Sequence, residues 1–306
     1  MKILLVADVP NWAWDYKADA LINNLPQFKI KKTYSSYYRP SMVGAYDKVF
    51  FFGWNEAVGN PTRYFSSISS HNYYLLHKEL AYQIIPQFRG IATVSKELYD
   101  LIKKINPNTF CCPNGVDHNL FKPVKHLEKK SFTIGWVGQK LDSNAALTGR
   151  PYDMKGYNLV LKKVIEKLEK YPDIEFKINN NNHRSGVHLT KMPEFYSDVD
   201  VQLCTSFREG TPNPLFEAAS CGKALISTRV GCIPDLIKDS NNGFIVDSYS
   251  RVEECEERIN TIVDHILFLK NNRDLCRDMG IRSREIIEES WTWKDRAKQY
   301  VPLFQS

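Results

Sequence analysis

Two glutamates, Glu209 and Glu217, bracket the run E-G-T-P-N-P-L-F-E. A carboxylate accepts paired hydrogen bonds from neighbouring hydroxyls, so two of them beside one loop suit a polar, hydroxyl-bearing ligand. Between them Gly210, Thr211, Pro212, Asn213 and Pro214 favour a turn, and residues 215–221 are helix formers closed by Gly222. An apolar run at 201–206 precedes the loop. The expected unit is therefore strand, loop and helix, with Glu209 ending the loop and Glu217 in the first helical turn. Unpaired backbone N–H groups at such a helix start favour anions, phosphates above all. The plain alternative is a solvated Glu209 and a helix-capping Glu217, since acidic residues are common in this chain.

These residues need a scaffold, and the hydrophobic pattern supplies one twice. In the first part, strand-like runs at 3–7, 28–33, 48–52, 90–94 and 110–113 alternate with helical stretches at 15–25 and 96–105. After Lys122-Pro123 and a charged stretch the pattern restarts: strands at 132–137 and 174–178, a helix at 157–170 between them, and a polar loop at 179–182. Strands at 201–206, 224–228 and 243–246 follow, with the helix after Pro214 among them. Such alternation means parallel sheets flanked by helices, and the expected fold class is α/β, with two Rossmann-like domains and a cleft between them. Residues 1–125 form the expected first domain, 126–288 the second, and 289–306 a terminal helix.

Composition excludes several classes. The net charge of +6 is spread through expected helices rather than gathered in a stripe with aromatics, which argues against nucleic acid, although a basic face suits anionic headgroups. No apolar run approaches the roughly 20 residues of a membrane-spanning helix. Met1-Lys2 leads straight into residues 3–7, which are too short for a signal-peptide core and read as a buried strand. Seven cysteines without metal-ligand spacing read as reduced thiols of a cytoplasmic protein.

The stretch around Glu209 and Glu217, with Phe195-Tyr196-Ser197 before it and Gly231-Cys232-Ile233-Pro234-Asp235 after it, resembles the donor-site signature of glycosyltransferase family 4. Pro113-Asn114-Gly115-Val116-Asp117, Gly135-Trp136-Val137-Gly138, Lys155-Gly156 and Trp291-Thr292-Trp293 match in the expected order. The resemblance implies the GT-B fold and a retaining transfer of sugar from a UDP- or GDP-sugar to a glycan or glycolipid, without a metal or other cofactor. It also implies a place in polysaccharide biosynthesis and a cytoplasmic setting with peripheral membrane contact. Lys155 matches the family's phosphate-binding lysine, Glu217 the residue that holds the ribose, and Glu209 the residue beside the transferred sugar. Gly138, Gly210, Thr211, Pro212 and Asn213 would line the donor. His71 stands where the family has a histidine facing the sugar from the first domain, and its plain alternative is an ordinary loop histidine. The family's arginine after the glycine is replaced here by Gln139, so either Lys140 or Arg150 would supply the second cation, Arg150 being nearer Lys155. Trp293, Tyr300 and Phe304 would return the terminal helix to the first domain.

Departures from the family pattern matter as well. The turn after the first strand, Asp8-Val9-Pro10-Asn11-Trp12-Ala13-Trp14, has no glycine, so Trp12 and Trp14 either stack on an acceptor or pack on the sheet. The first domain is short for the family, which leaves the acceptor site reduced or completed by a partner. Asp198-Val199-Asp200 has the spacing of a metal-binding pair, but it precedes a strand instead of following one and reads as a helix-to-strand turn. No G-x-G-x-x-G follows a strand, which argues against a dinucleotide enzyme. A nucleotide-sugar epimerase and a non-catalytic scaffold derived from a transferase are the alternatives.

Overall fold

The computed structural model describes residues 1–57, 61–70, 78–124, 130–140, 153–180, 187–247 and 255–306. The chain folds as two compact units, Met1–Gly115 with Trp291–Ser306, and Val116–Ser290. Each carries one parallel sheet.

In the first unit the strands are β1 (Lys2–Ala7), β2 (Lys29–Tyr34), β3 (Lys48–Phe51), β4 (Phe65–Ile68), β5 (Gly90–Thr93) and β6 (Thr109–Cys111), in spatial order β2-β1-β3-β4-β5-β6. Every pairing is parallel. The period-2 alternation of a strand sends Ile3, Leu5, Phe50 and Phe52 into one core cluster and Leu4, Val6, Val49 and Phe51 into the other. The sequence pattern missed β4 because its centre is Ser66-Ser67. Both serines are buried, and their hydroxyls donate to the Phe51 and Phe52 carbonyls at 3.0 and 2.6 Å. A hydroxyl with a strand carbonyl for partner costs little to bury, which is how a polar pair sits inside a sheet.

The terminal segment folds with this unit in three short pieces, Trp293–Arg296, Ala297–Tyr300 and Val301–Gln305, rather than one helix. Tyr300 and Phe304 are buried among Phe28, Phe50 and Phe52 as expected, with Phe304 edge-on to Phe50 at 5.9 Å, whereas Trp293 is only half-buried. The Tyr300 hydroxyl donates to the Cys112 carbonyl at 3.2 Å. Lys17 lies beneath the Phe52 and Tyr300 rings, and burial pushes its pKa down to about 8.

The second unit contains β7 (Phe132–Gly138), β8 (Ile174–Asn180), β9 (Val201–Cys204), β10 (Ala224–Thr228) and β11 (Gly243–Val246), in order β11-β10-β9-β7-β8. The expected polar loop after β8 begins two residues late, because Asn179 and Asn180 pair with Val137 and Gly138. Asn179 stays buried by donating to the Met192 sulfur and accepting from the Val187 amide. Arg284 ties three carbonyls, those of His118, Phe121 and Ser220, at 2.7–3.0 Å, the last at the C-terminal end of helix Asn213–Ser220, where a cation is favoured.

Truncation of a large, fully buried ring leaves a cavity the surroundings fill only in part. Phe304→Ala should therefore lower stability by about 3–5 kcal/mol, measured as a fall in the urea midpoint of the transition that reports the first unit. An unchanged midpoint would mean that the terminal segment is not part of that core.

Candidate functional site

Strand order decides where a ligand can enter the second sheet. The chain leaves β7 to place β8 on one side and then returns to place β9 on the other, so the carboxyl ends of β7 and β9 flank the point where the winding reverses. Open parallel sheets bind ligands at such points. Gly138 ends β7, and a Cβ on it would meet the Trp136 ring at 2.8 Å and the Lys155 side chain at 3.3 Å.

Two loops are stitched together there. Trp136 Nε1 donates to Thr205 Oγ1 at 3.0 Å, Thr205 Oγ1 donates to the Lys155 carbonyl at 2.7 Å, and the Phe207 amide donates to the Met154 carbonyl at 2.9 Å. The close approach requires glycine at 156, whose φ is +67° and whose Cβ would fall 2.1 Å from the Thr205 carbonyl oxygen. Held this way, Lys155 Nζ lies 2.5 Å from Glu209 Oε1, and Ser206 Oγ donates to the same oxygen at 2.8 Å. Glu209 is the better buried of the pair, at 12% side-chain exposure against 34% for Lys155. On the far side Gly210 is braced by Gly231, another left-handed glycine, and its carbonyl accepts from the Cys232 amide at 3.0 Å.

Glu217 is the fifth residue of helix Asn213–Ser220, so it lies in the second turn rather than the first. The Tyr196 hydroxyl donates to its Oε2 at 2.7 Å. Although the residue keeps some exposed surface, its carboxyl group is enclosed by protein atoms, and burial raises its pKa to about 7 against the opposing hydrogen bond from Tyr196.

The expected row of unpaired helix amides is not present. The Asn213 amide donates to the Thr211 carbonyl and Leu215 to Pro212, and Pro214 has no N–H to offer. At the helix beginning with Tyr157, the Asp153 carboxylate accepts from the amides of Tyr157, Asn158 and Leu159 at 2.7–2.8 Å. These helix amides are already engaged, and Lys155 and Lys140 are described cations near the end of β7. Lys140 lies at the end of β7, its amide donating to Asn180 Oδ1 and its ammonium 5.0 Å from the Tyr157 ring. His71 and Arg150 lie outside the described residues.

Asp198 and Asp200 do precede β9 and are bound there, Asp198 by Lys177 at 2.7 Å and Asp200 by the Thr133 amide at 2.7 Å. Among the described residues no three His, Cys, Asp or Glu side chains gather as a metal site. Sequence reasoning gave no role to Ser206, Thr205 or Asp153 and named Tyr196 only within a longer stretch. The D-x-x-G-Y-N pattern of a capping carboxylate was the available signal for Asp153. It also passed over Glu56 in the first unit, which accepts from the Ser35 hydroxyl and whose pKa is raised by burial and by the Asp8 charge.

The fold and this cluster define a doubly wound α/β protein of GT-B type, with charged side chains at the switch point of its second sheet. Residues 157–285 match the family described as glycosyl transferases group 1. Spore coat protein SA of Bacillus subtilis is 22% identical over 277 residues, covering 75% of this chain and 71% of its own length. Trehalose synthase of Thermococcus litoralis is 27% identical over 154 residues, covering half of this chain but only 34% of the relative. The crystal structure of HepE from Anabaena in complex with UDP and glucose superposes with a TM-score of 0.70 over the whole of both chains at 13% identity, a likeness of fold.

A carboxyl group whose pKa rises on folding binds its proton more tightly in the native state, so stability is greatest below the unfolded value near 4.5 and falls as pH rises to about 7. Glu217→Gln keeps an acceptor for Tyr196 without the charge. Its stability relative to the parent should therefore improve between pH 5 and pH 8, as read from denaturation midpoints at the two values. A constant difference would place the Glu217 carboxyl in water.

Proposed function

We propose that this protein transfers a sugar from a nucleoside-diphosphate donor, UDP- or GDP-linked, to a hydroxyl of a glycan or glycolipid, with retention of anomeric configuration. The observation that carries this reading is the ion pair of Lys155 and Glu209 at the switch point of the second sheet, with Glu217 held beside the same loop. The group 1 match over residues 157–285 and the UDP and glucose bound to HepE support it.

In the reaction the bond between the anomeric carbon and the phosphate oxygen breaks, and the nucleoside diphosphate leaves with the electron pair. Lys155 lies where it can meet that growing negative charge, with Lys140 at the same strand end and Arg150 as a further candidate on the sequence alone. Glu217 as a carboxylate accepts from the ribose hydroxyls, and Glu209 from the sugar. The acceptor oxygen attacks from the leaving-group face and passes its proton to the departing phosphate, so no protein nucleophile is needed, and His71 hydrogen-bonds a sugar hydroxyl or steadies the developing charge. In this reading the transfer needs no metal, which the engagement of Asp198 by Lys177 and of Asp200 by the Thr133 amide supports. No described helix is long and apolar enough to cross a membrane; with a net charge of +6, peripheral contact with an anionic membrane face in the cytoplasm is the proposed setting.

A thermal-shift screen against UDP, GDP, ADP, CMP and their sugar conjugates, with and without chelator, tests this. One nucleoside diphosphate at about 100 times its dissociation constant should add roughly 2.7 kcal/mol, unaffected by chelator and lost in Glu217→Ala. With a working acceptor, Lys155→Ala should lower kcat by about 100-fold or more. If no nucleotide moves the melt, the transferase reading fails.

A further inference from the structure

The helix that carries Glu217 meets a tyrosine from another element. Tyr196 lies in the short helix Met192–Ser197 and is fully buried. Its ring stands edge-on to Phe121 at 6.3 Å and to Phe195 at 5.4 Å. The Phe121 carbonyl in turn accepts from Ser220 Oγ at 2.5 Å and from the Arg284 guanidinium at 2.7 Å, which ties residue 121 to the last residue of the Glu217 helix. The tyrosine ring and the helix are therefore held against the same residue, and the hydroxyl reaches the carboxyl group from a fixed place.

The Tyr196 hydroxyl donates to Glu217 Oε2 at 2.7 Å, and among the described residues Glu217 has no second side-chain hydrogen bond. Oε1 is thus the oxygen left for a ligand. Burial favours the neutral form of this carboxyl group, and the hydrogen bond from Tyr196 favours the charged one. Burial and the Glu217 charge push the pKa of the phenol well above its ordinary value, so Tyr196 is a donor throughout the neutral range. A buried tyrosine hydroxyl usually finds a partner in any protein, and that much is packing. Direction goes beyond packing: a glutamate side chain turns about several bonds, and fixing one oxygen in advance removes part of the ordering cost from binding at the other.

We propose that Tyr196 is a positioning residue for nucleotide recognition: by holding Oε2 it presents Oε1 of Glu217 to the ribose hydroxyls and so sets the preference for a ribose that carries them. The proposal rests on the reading of Glu217 as the ribose-binding carboxylate.

The test is calorimetric titration of the full chain with UDP and GDP and with their 2′,3′-dideoxy analogues. The parent should bind one ribonucleotide more tightly than its dideoxy analogue. Tyr196→Phe keeps the buried ring and removes only the donor; it should narrow that preference by about tenfold and leave the affinity for the dideoxy analogue as in the parent. In a Glu217→Ala background the same substitution should change the preference no further, because the tyrosine acts through that carboxylate. An undiminished preference in Tyr196→Phe overturns the proposal and leaves the ribose role of Glu217 standing. Equal weakening of both ligands overturns it too, since that marks lost packing alone, as does a further loss of preference in the Glu217→Ala background. A parent that binds neither ribonucleotide, or binds one without preference over its analogue, fails the ribose reading itself and the proposal with it.

Discussion

A lysine and a glutamate held 2.5 Å apart at the mouth of a parallel sheet set the conditions for the rest of the second unit. An ion pair there is only as well placed as the two loops that carry it. Thr205 and Phe207 tie the loop after β9 to the backbone at Lys155 and Met154, and Gly156 lets the chains approach to hydrogen-bonding distance. Thr228 Oγ1 adds a third tie, donating to the Ser206 carbonyl at 2.6 Å. The ammonium is thus preorganised by covalent and hydrogen-bonded neighbours rather than by ligand, which is what electrostatic stabilisation of a leaving group requires. Its partner carboxylate also keeps the positive charge from standing alone.

Much of this was legible because it is written in local chemistry. Strand-like runs of four to six residues placed ten of the eleven described strands, and the Gly-Thr-Pro-Asn-Pro run announced the loop that carries Glu209. What escaped depended on partners distant in sequence. Ser66 and Ser67 look like loop residues until the carbonyls of the neighbouring strand are known. Likewise Asn179 and Asn180 extend β8 because Val137 and Gly138 lie alongside. The expectation of free helix amides failed for a nearer reason: Asp153 occupies one set, and the turn around Pro212 and Pro214 uses the other.

The two sheets present different side-chain chemistry at equivalent topological positions. In the second unit the switch point is edged by charge, with Lys155 and Glu209 at strand ends and the enclosed Glu217 one helix beyond. In the first, among the described residues, a cavity near the switch point is walled by aromatic rings and edged by hydroxyl and indole groups. Rings of this size bury apolar area while leaving a polar edge to choose among ligands, whereas paired charges discriminate mainly by sign. The glycine-free turn after β1 leads into Trp14, whose ring lies against the backbone at Gly53.

The most direct test concerns competition for Lys155. Because Glu209 pairs with the Lys155 ammonium, a diphosphate binding there must share that cation with a carboxylate of its own sign. Calorimetric titration of the parent and Glu209→Gln with the nucleoside diphosphate that stabilises the protein separates binding from turnover. The account predicts tighter nucleoside diphosphate binding in the variant, by up to about tenfold, together with loss of sugar transfer. Weaker or unchanged binding in Glu209→Gln would contradict the ion pair as the electrostatic centre of the site.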